Sequence, residues 1–245
     1  MPVQALAVVP PQVRQLGRRA VNRLGLDVTR HPFPRRLIRL CASSGIDTIV
    51  DVGANRGQYA RSVRIAGFTG RIVSCEPLSG PYAVLARAAV RDPNWDAVRT
   101  ALGQSQGRIT VHVAGNSYSS SVLEMLDAHR DAAPDSSYIA AEDVPLTTVD
   151  ELFVRLAVDP VRTLLKIDVQ GYERAVLDGA VGALPRLAGV QVELSLTPLY
   201  AEQPLMPEVS GRLERHGLRL WAIEPGFTDP RTGRMLQCDG VFLRG

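Results

Sequence analysis

Thr48-Ile-Val-Asp51-Val-Gly53-Ala-Asn55-Arg-Gly57-Gln-Tyr59 decides the fold. Thr48 to Val52 is a short apolar run bounded by turn residues, the pattern of a strand buried on both faces of a parallel sheet. Gly53 and Gly57 let the backbone turn sharply and let a ligand come close. Gly57 to Ala66 has helical character and closes at Gly67. A strand, a glycine loop and a helix in this order form the cofactor-binding end of an α/β sheet. A dinucleotide loop reads G-x-G-x-x-G and needs its second glycine to seat a pyrophosphate. Here Asn55 occupies that place. A ligand without phosphate, S-adenosylmethionine, suits the loop better, with Asp51 available to its ammonium. The alternative is a tight strand–helix turn with Asn55 as a cap.

Further strands are expected at 71–75, 95–102, 163–169, 189–196, 218–223 and 237–243, with an exposed one at 108–113. Helices are expected at 35–43, 81–90, 172–184 and 206–216, and an amphipathic one at 11–24. Strands alternating with helices imply a parallel sheet covered on both faces, with ligands beyond the carboxyl ends of its strands. Asp51, Glu76 and Asp168 all fall near such ends. Glu76, followed by Pro77, has the chemistry to accept two hydrogen bonds from a ribose diol. Ala101 and Leu102 are small and apolar, as an adenine site requires. Residues 115–145 are rich in Ser and Asp and poor in pattern, and read as one long functional connection.

The chain has 245 residues, 45% hydrophobic and 22% charged, as an ordinary globular domain has. No apolar run reaches the length of a membrane span, and Met1 to Pro11 lacks the form of a secretory signal. Cys41, Cys75 and Cys238 have neither zinc nor disulfide spacing, which points to free thiols and a cytoplasmic setting. Residues 1–40 carry a net +7 against −4 for the remainder. This basic arm, with Arg14, Arg18, Arg19 and Arg23, offers peripheral contact with an anionic membrane; a helix that packs on the body with its arginines solvated is the plainer explanation. Of the 28 cationic residues only Lys166 is a lysine. The sequence leaves the oligomeric state open, a homodimer included.

The motifs resemble those of FkbM-type methyltransferases from about Asp47 to Gly245. The marks are Asp51-Val-Gly-Ala-Asn-Arg-Gly-Gln-Tyr59, Cys75-Glu76-Pro77, Ala101-Leu102-Gly103, Ser119-Ser120-Ser121, Leu146-Thr-Thr-Val-Asp150, Leu165-Lys-Ile-Asp-Val-Gln-Gly-Tyr-Glu173, Glu193 and Asp239-Gly-Val-Phe242. Where the family often has Glu, this chain has Gln170. The resemblance implies a class I methyltransferase of Rossmann-like α/β fold, with a seven-stranded, mainly parallel sheet, helices on both faces and S-adenosylmethionine as methyl donor. It implies O-methylation of sugars, polyketides and related secondary metabolites. Residues 1–45 are then a basic helical extension and 46–245 the catalytic domain.

The expected donor site comprises Asp51, Gly53, Ala54, Asn55, Gly57, Gln58, Tyr59, Glu76, Pro77, Ala101, Leu102, Ser120 and Asp168. Asp168 is the candidate base, Lys166 its cationic neighbour on the same strand face, and Glu193 a second carboxylate on the next strand. Asp168 and Glu193 could instead hold Mg²⁺. A small-molecule or glycolipid acceptor is the expected partner. Other readings are a nicotinamide-dependent oxidoreductase, a non-catalytic binding module, and a nucleic-acid methyltransferase. With 5% aromatic residues, platforms for stacking bases are scarce. Among the histidines, His129 lies in the long connection, within reach of an acceptor.

Overall fold

A computed structural model describes residues 33–245. The amphipathic helix read at 11–24 and its four arginines lie outside the described residues. Helix α1 (Phe33–Ser43) comes first. A seven-stranded sheet follows, made of β1 (Thr48–Val52), β2 (Arg71–Cys75), β3 (Trp95–Val98), β7 (Thr163–Ile167), β8 (Gly189–Ser195), β9 (Leu218–Pro225) and β10 (Gln237–Arg244). Their spatial order is β3-β2-β1-β7-β8-β10-β9. The first five run parallel, and β10 lies antiparallel between β8 and β9. This is the seven-stranded, mainly parallel sheet that the motifs imply.

Side chains alternate across each strand, so each face gathers its own core. Ile49, Ile72, Leu164 and Val241 pack with Leu37 and Cys41 of α1, and with α2 (Gln58–Ile65) and α3 (Ser79–Ala89). Val50, Val73, Leu165 and Val190 face α5 (Val149–Arg155), α6 (Glu173–Asp178) and α7 (Met206–Arg215). Helix α1, the second helix read in the basic extension, therefore packs into the core on this sheet face.

A second sheet has the order β4-β6-β5, from β4 (Ala101–Leu102), β5 (Gly107–Ala114) and β6 (Tyr138–Thr147). It changes three readings of the sequence. The strand expected over 95–102 is broken. Its last main-sheet register pair is Cys75 with Val98, and Thr100 Oγ1 then bonds the carbonyls of Ala101 and Pro145, so that Ala101–Leu102 pair with β6 instead. The connection 115–145 is not patternless, for it contains α4 (Asp127–Ala132) and most of β6. Along β6 only Val144 is fully buried, so no hydrophobic run announces the strand. The helix expected over 172–184 ends at Asp178. A Cβ at Gly179 would stand 2.0 Å from the Gly103 carbonyl oxygen, a packing only glycine allows. Helix α5 had a legible start that the periodicity reading passed over: Thr148 and Glu151 form a reciprocal capping box.

Candidate active site

The order reverses between β1 and β7, and there a cavity of about 380 Å³ opens beyond their carboxyl ends. The loop after β1 shapes it through two glycines. Gly53 has φ +81°, and a Cβ there would meet the Asp168 carbonyl oxygen at 1.8 Å. Gly57 has φ +80°, and its Cβ would press on the Trp95 ring at 2.9 Å. The first glycine lets the β1 and β7 loops touch, and the second lets α2 start against β3. Asn55 (φ 47°) and Gln170 (φ 54°) also hold left-handed backbone, which non-glycine residues seldom adopt. Both face the cavity.

Glu76 follows β2 and is 5% exposed. Its Oε2 accepts from the Asn55 backbone N–H at 2.8 Å, and its Oε1 from that of Leu78 at 3.0 Å. Burial nevertheless pushes its pKa up to about 7, against the pull of those two donors. Pro77, Ala101 and Leu102 line the same end. Ser120 reaches the cavity while its Oγ accepts from the Ala114 N–H at 3.0 Å. Above them the segment 115–122 is tied down by Asn55 Nδ2 donating to the Ser117 carbonyl (3.1 Å) and by Gln58 Nε2 donating to the Tyr118 hydroxyl (3.2 Å).

At the other end, Asp168 and Glu193 are joined by one amide. Gln170 Nε2 donates to Asp168 Oδ1 at 2.8 Å and to Glu193 Oε2 at 3.0 Å. Gln237 Nε2 also donates to Glu193 Oε2, at 2.7 Å. Gln170 is itself fixed, because the Tyr200 hydroxyl donates to its Oε1 (2.9 Å) and Ser121 Oγ to its carbonyl (2.6 Å). Burial raises the Glu193 pKa well above the usual carboxylate range, and the Asp168 charge adds to the rise. The amide nitrogen stands where a metal bridging the two acids would sit, so this donor set does not fit the Mg²⁺ arrangement considered from sequence. Among the described residues no cluster of three or more His, Cys, Asp and Glu is placed to hold a metal.

Asp51, Lys166 and Tyr59 lie below the cavity rather than on its wall. Ser74, Asp51, Lys166 and Gln191 are register partners across β2, β1, β7 and β8, so they form one polar row on the face covered by α1–α3. Trp95 Nε1 donates to Ser74 Oγ (3.0 Å), which donates to Asp51 Oδ2 (3.3 Å). Lys166 Nζ stands 3.1 Å from Asp51 Oδ1, 3.3 Å from Asp168 Oδ2 and 5.2 Å from the centre of the Tyr59 ring. Tyr59 in turn donates to Gln191 at 2.8 Å. Burial opposes the ammonium's charge, but Asp168 and Asp51 together outweigh it and raise the Lys166 pKa. Asp51 is wholly buried and engaged with Lys166, so the row holds Asp168 from beneath. Ala54 and Gly57 likewise lie off the wall, in the turn that carries Gly53 and Asn55, and so does Gln58, which opens α2.

The wall also includes residues to which no motif pointed: Asn116, Phe227 and Gln237. They come from loops and strand ends far apart in the chain, and only Asn116 carried a sequence signal, the polar character of 115–122. Tyr172, from the Leu165–Glu173 mark, joins them on the wall.

The family model of the methyltransferase FkbM domain matches residues 51–220. The chain belongs to the FkbM methyltransferase family. No curated protein matches it. Among solved structures, this FkbM-family chain is similar to the 1,6-didemethyltoxoflavin-N1-methyltransferase of Burkholderia thailandensis, with 14% identity over 99% of this chain and 93% of that one and a TM-score of 0.43. That protein was crystallised with 1,6-didemethyltoxoflavin and S-adenosylhomocysteine. A TehB-like methyltransferase from Corynebacterium glutamicum shares 15% identity over 96% and 97% of the two chains, TM-score 0.41. Fibrillarin of Aeropyrum pernix, with bound S-adenosylmethionine, shares 14% over 86% and 76%, TM-score 0.42. The family assignment rests on the family model.

Proposed function

We propose that this methyltransferase takes S-adenosylmethionine as donor and methylates a hydroxyl of a small molecule, of the sugar, glycolipid or polyketide kind. The observation that carries the donor assignment is Glu76. A carboxylate at the end of β2, with each oxygen held by one backbone N–H and lone pairs to spare, is built to receive a ribose diol. The lining fits the rest of the donor. Ala101 and Leu102 provide an apolar seat for adenine, and Gly53 leaves its Cβ space to the Asp168 loop. Asp168 provides a carboxylate for the ammonium. The donor supplies an electrophilic methyl on a sulfonium.

The chain's own residues then have three tasks. Asn55 and Glu76 fix one end of the donor, which sets the direction in which its methyl faces. The segment 115–122, tied to Asn55, Gln58 and Gln170, covers the cavity and limits water. Asp168 or Glu193 accepts the hydroxyl proton, and burial raises the affinity of Glu193 for it. Lys166, beneath Asp168, keeps that carboxylate in place.

The nicotinamide alternative lacks its glycine at Asn55. Titration calorimetry with S-adenosylhomocysteine and with NAD decides between them. Binding of the first at one site per chain, and none of the second, is expected; the reverse overturns the proposal. No described helix is long and apolar enough to cross a membrane.

A further inference from the structure

Two amides hold Glu193 by the same oxygen. Gln170 Nε2 and Gln237 Nε2 both donate to its Oε2, at 3.0 and 2.7 Å, and neither takes Oε1. All three residues line the cavity.

The amides are themselves fixed. Asp168, paired with Lys166, offers only lone pairs to the Gln170 group that stands 2.8 Å from its Oδ1, so that group is the NH₂. The Gln170 oxygen then meets the hydroxyl of the fully buried Tyr200 at 2.9 Å. Gln237 is 2% exposed, and its Nε2 also lies 3.3 Å from Ser195 Oγ. Gln203 Nε2 meets that hydroxyl at 2.6 Å. The Gln203 amide cannot turn over, because its Oε1 accepts from the backbone N–H groups of Leu199 and Tyr200, at 2.9 and 3.3 Å.

The surroundings of Glu193 favour a proton on it. Asp239 is its register partner on β10, and Asp168 shares the Gln170 amide with it. Burial raises its pKa well above the usual carboxylate range; Asp168, Glu173 and Asp239 add to the rise, and Lys166 opposes it. Two N–H donors fill the two lone pairs of a carbonyl oxygen. Oε2 is therefore the carbonyl oxygen of the neutral acid, and its hydrogen sits on Oε1.

Resting on the small-molecule reading above, we propose that Glu193 meets the acceptor as an O–H donor at Oε1, with Gln170 and Gln237 as positioning residues that put the proton on that atom. The group it recognises is a lone-pair oxygen next to the reacting hydroxyl, as a sugar diol or a hydroxy-carbonyl compound provides. The reacting proton goes to the other carboxylate. As the acceptor oxygen bonds the methyl carbon, the C–S electron pair passes to sulfur and the hydroxyl proton to Asp168. Glu193 keeps its own proton throughout. The two acids thus hold neighbouring oxygens of the acceptor with opposite hydrogen-bond sense.

Infrared spectroscopy of the full chain tests this without an acceptor. A protonated carboxyl group has a carbonyl stretch that an ionised one lacks, and hydrogen bonds to the carbonyl oxygen lower its frequency. At pH 7 the wild-type spectrum is expected to contain such a band, shifted by D₂O and lost in Glu193→Gln. The band is expected to move to higher frequency in Gln237→Met and in Gln170→Met, each of which removes one N–H from Oε2. Tyr200→Phe, which leaves the Gln170 amide without the hydroxyl that orients it, replaces Gln170→Met if that variant does not fold, with a smaller shift in the same direction. Absence of a band lost in Glu193→Gln, or a band unmoved or lowered in either folded amide variant, overturns the proposal. S-adenosylhomocysteine binding to the wild type is measured separately by calorimetry. Its failure overturns the donor reading and leaves the infrared result standing, which keeps the two failures apart.

Discussion

Replacing Glu76 by Gln tests the donor end at the residue on which the assignment turns. The carboxylate accepts from the backbone N–H groups of Asn55 and Leu78, one on each oxygen. A glutamine keeps one of these bonds and points an NH₂ at the other donor. A hydrogen bond to a charged group contributes about 1.5–3 kcal/mol, and a buried polar group left without a partner costs about 1–3 kcal/mol. Losing one charged contact to the ribose and straining one loop anchor should weaken S-adenosylhomocysteine binding by about 2–4 kcal/mol, on the order of 30- to 1000-fold. The pH dependence is a second signature. Burial raises the Glu76 pKa to about 7, so below that pH the free protein holds the acid protonated. The ligand diol donates hydrogen bonds and therefore favours the carboxylate, and binding must release that proton. Wild-type affinity should rise with pH by up to about tenfold per unit below pH 7 and level off above it, whereas the variant should lack this slope. Calorimetry in buffers of differing ionisation enthalpy measures the released proton directly. Equal affinities for the two proteins, or a wild-type affinity flat from pH 5.5 to 8, would refute the reasoning.

Lys166→Met removes the cation between Asp51 and Asp168 and leaves Asp51 buried without compensation; breaking such a pair costs about 3–5 kcal/mol. Urea unfolding should show a loss of this size at pH 7, and a shift under 1 kcal/mol would mean that the polar row is not a structural support. Gly53→Ala places a Cβ 1.8 Å from the Asp168 carbonyl oxygen at a φ of +81° and must push the β1 and β7 loops apart. Loss of ligand binding by at least tenfold is expected, together with a lowered melting temperature; unchanged values of both would show that the loops do not need this approach.

What was legible in the sequence divides along physical lines. The strands of the main sheet could be read because burial on both faces leaves a short apolar run, as in Thr48–Val52 and Thr163–Ile167, each broken by a single charged residue, Asp51 or Lys166. Strand β6 could not, because only Val144 is fully buried and its exposed positions (Ile139, Ala140, Ala141, Asp143 and Pro145) mix apolar and polar types without strict alternation. The break at Thr100 was hidden for a related reason: nothing in a run of strand-forming residues says that it changes sheets. Within the cavity wall, Glu76 and Asp168 could be placed because each directly follows a recognisable strand, and Glu193 because it lies in the carboxyl-terminal half of one. The position of Asp51 could not, since strand alternation alone does not say which face is polar. The register of Ser74, Asp51, Lys166 and Gln191 answers that. Gln170 was visible as a departure from the family's usual Glu. Its bridge between two carboxylates depends on a left-handed backbone that sequence does not announce.

A crystal structure of the chain grown with S-adenosylhomocysteine tests the central claim most directly. The account predicts the ribose diol on Glu76, the adenine against Ala101 and Leu102, and the sulfur facing the Asp168–Glu193 end. A ligand seated elsewhere, or a cavity left empty at saturating concentration, would contradict it.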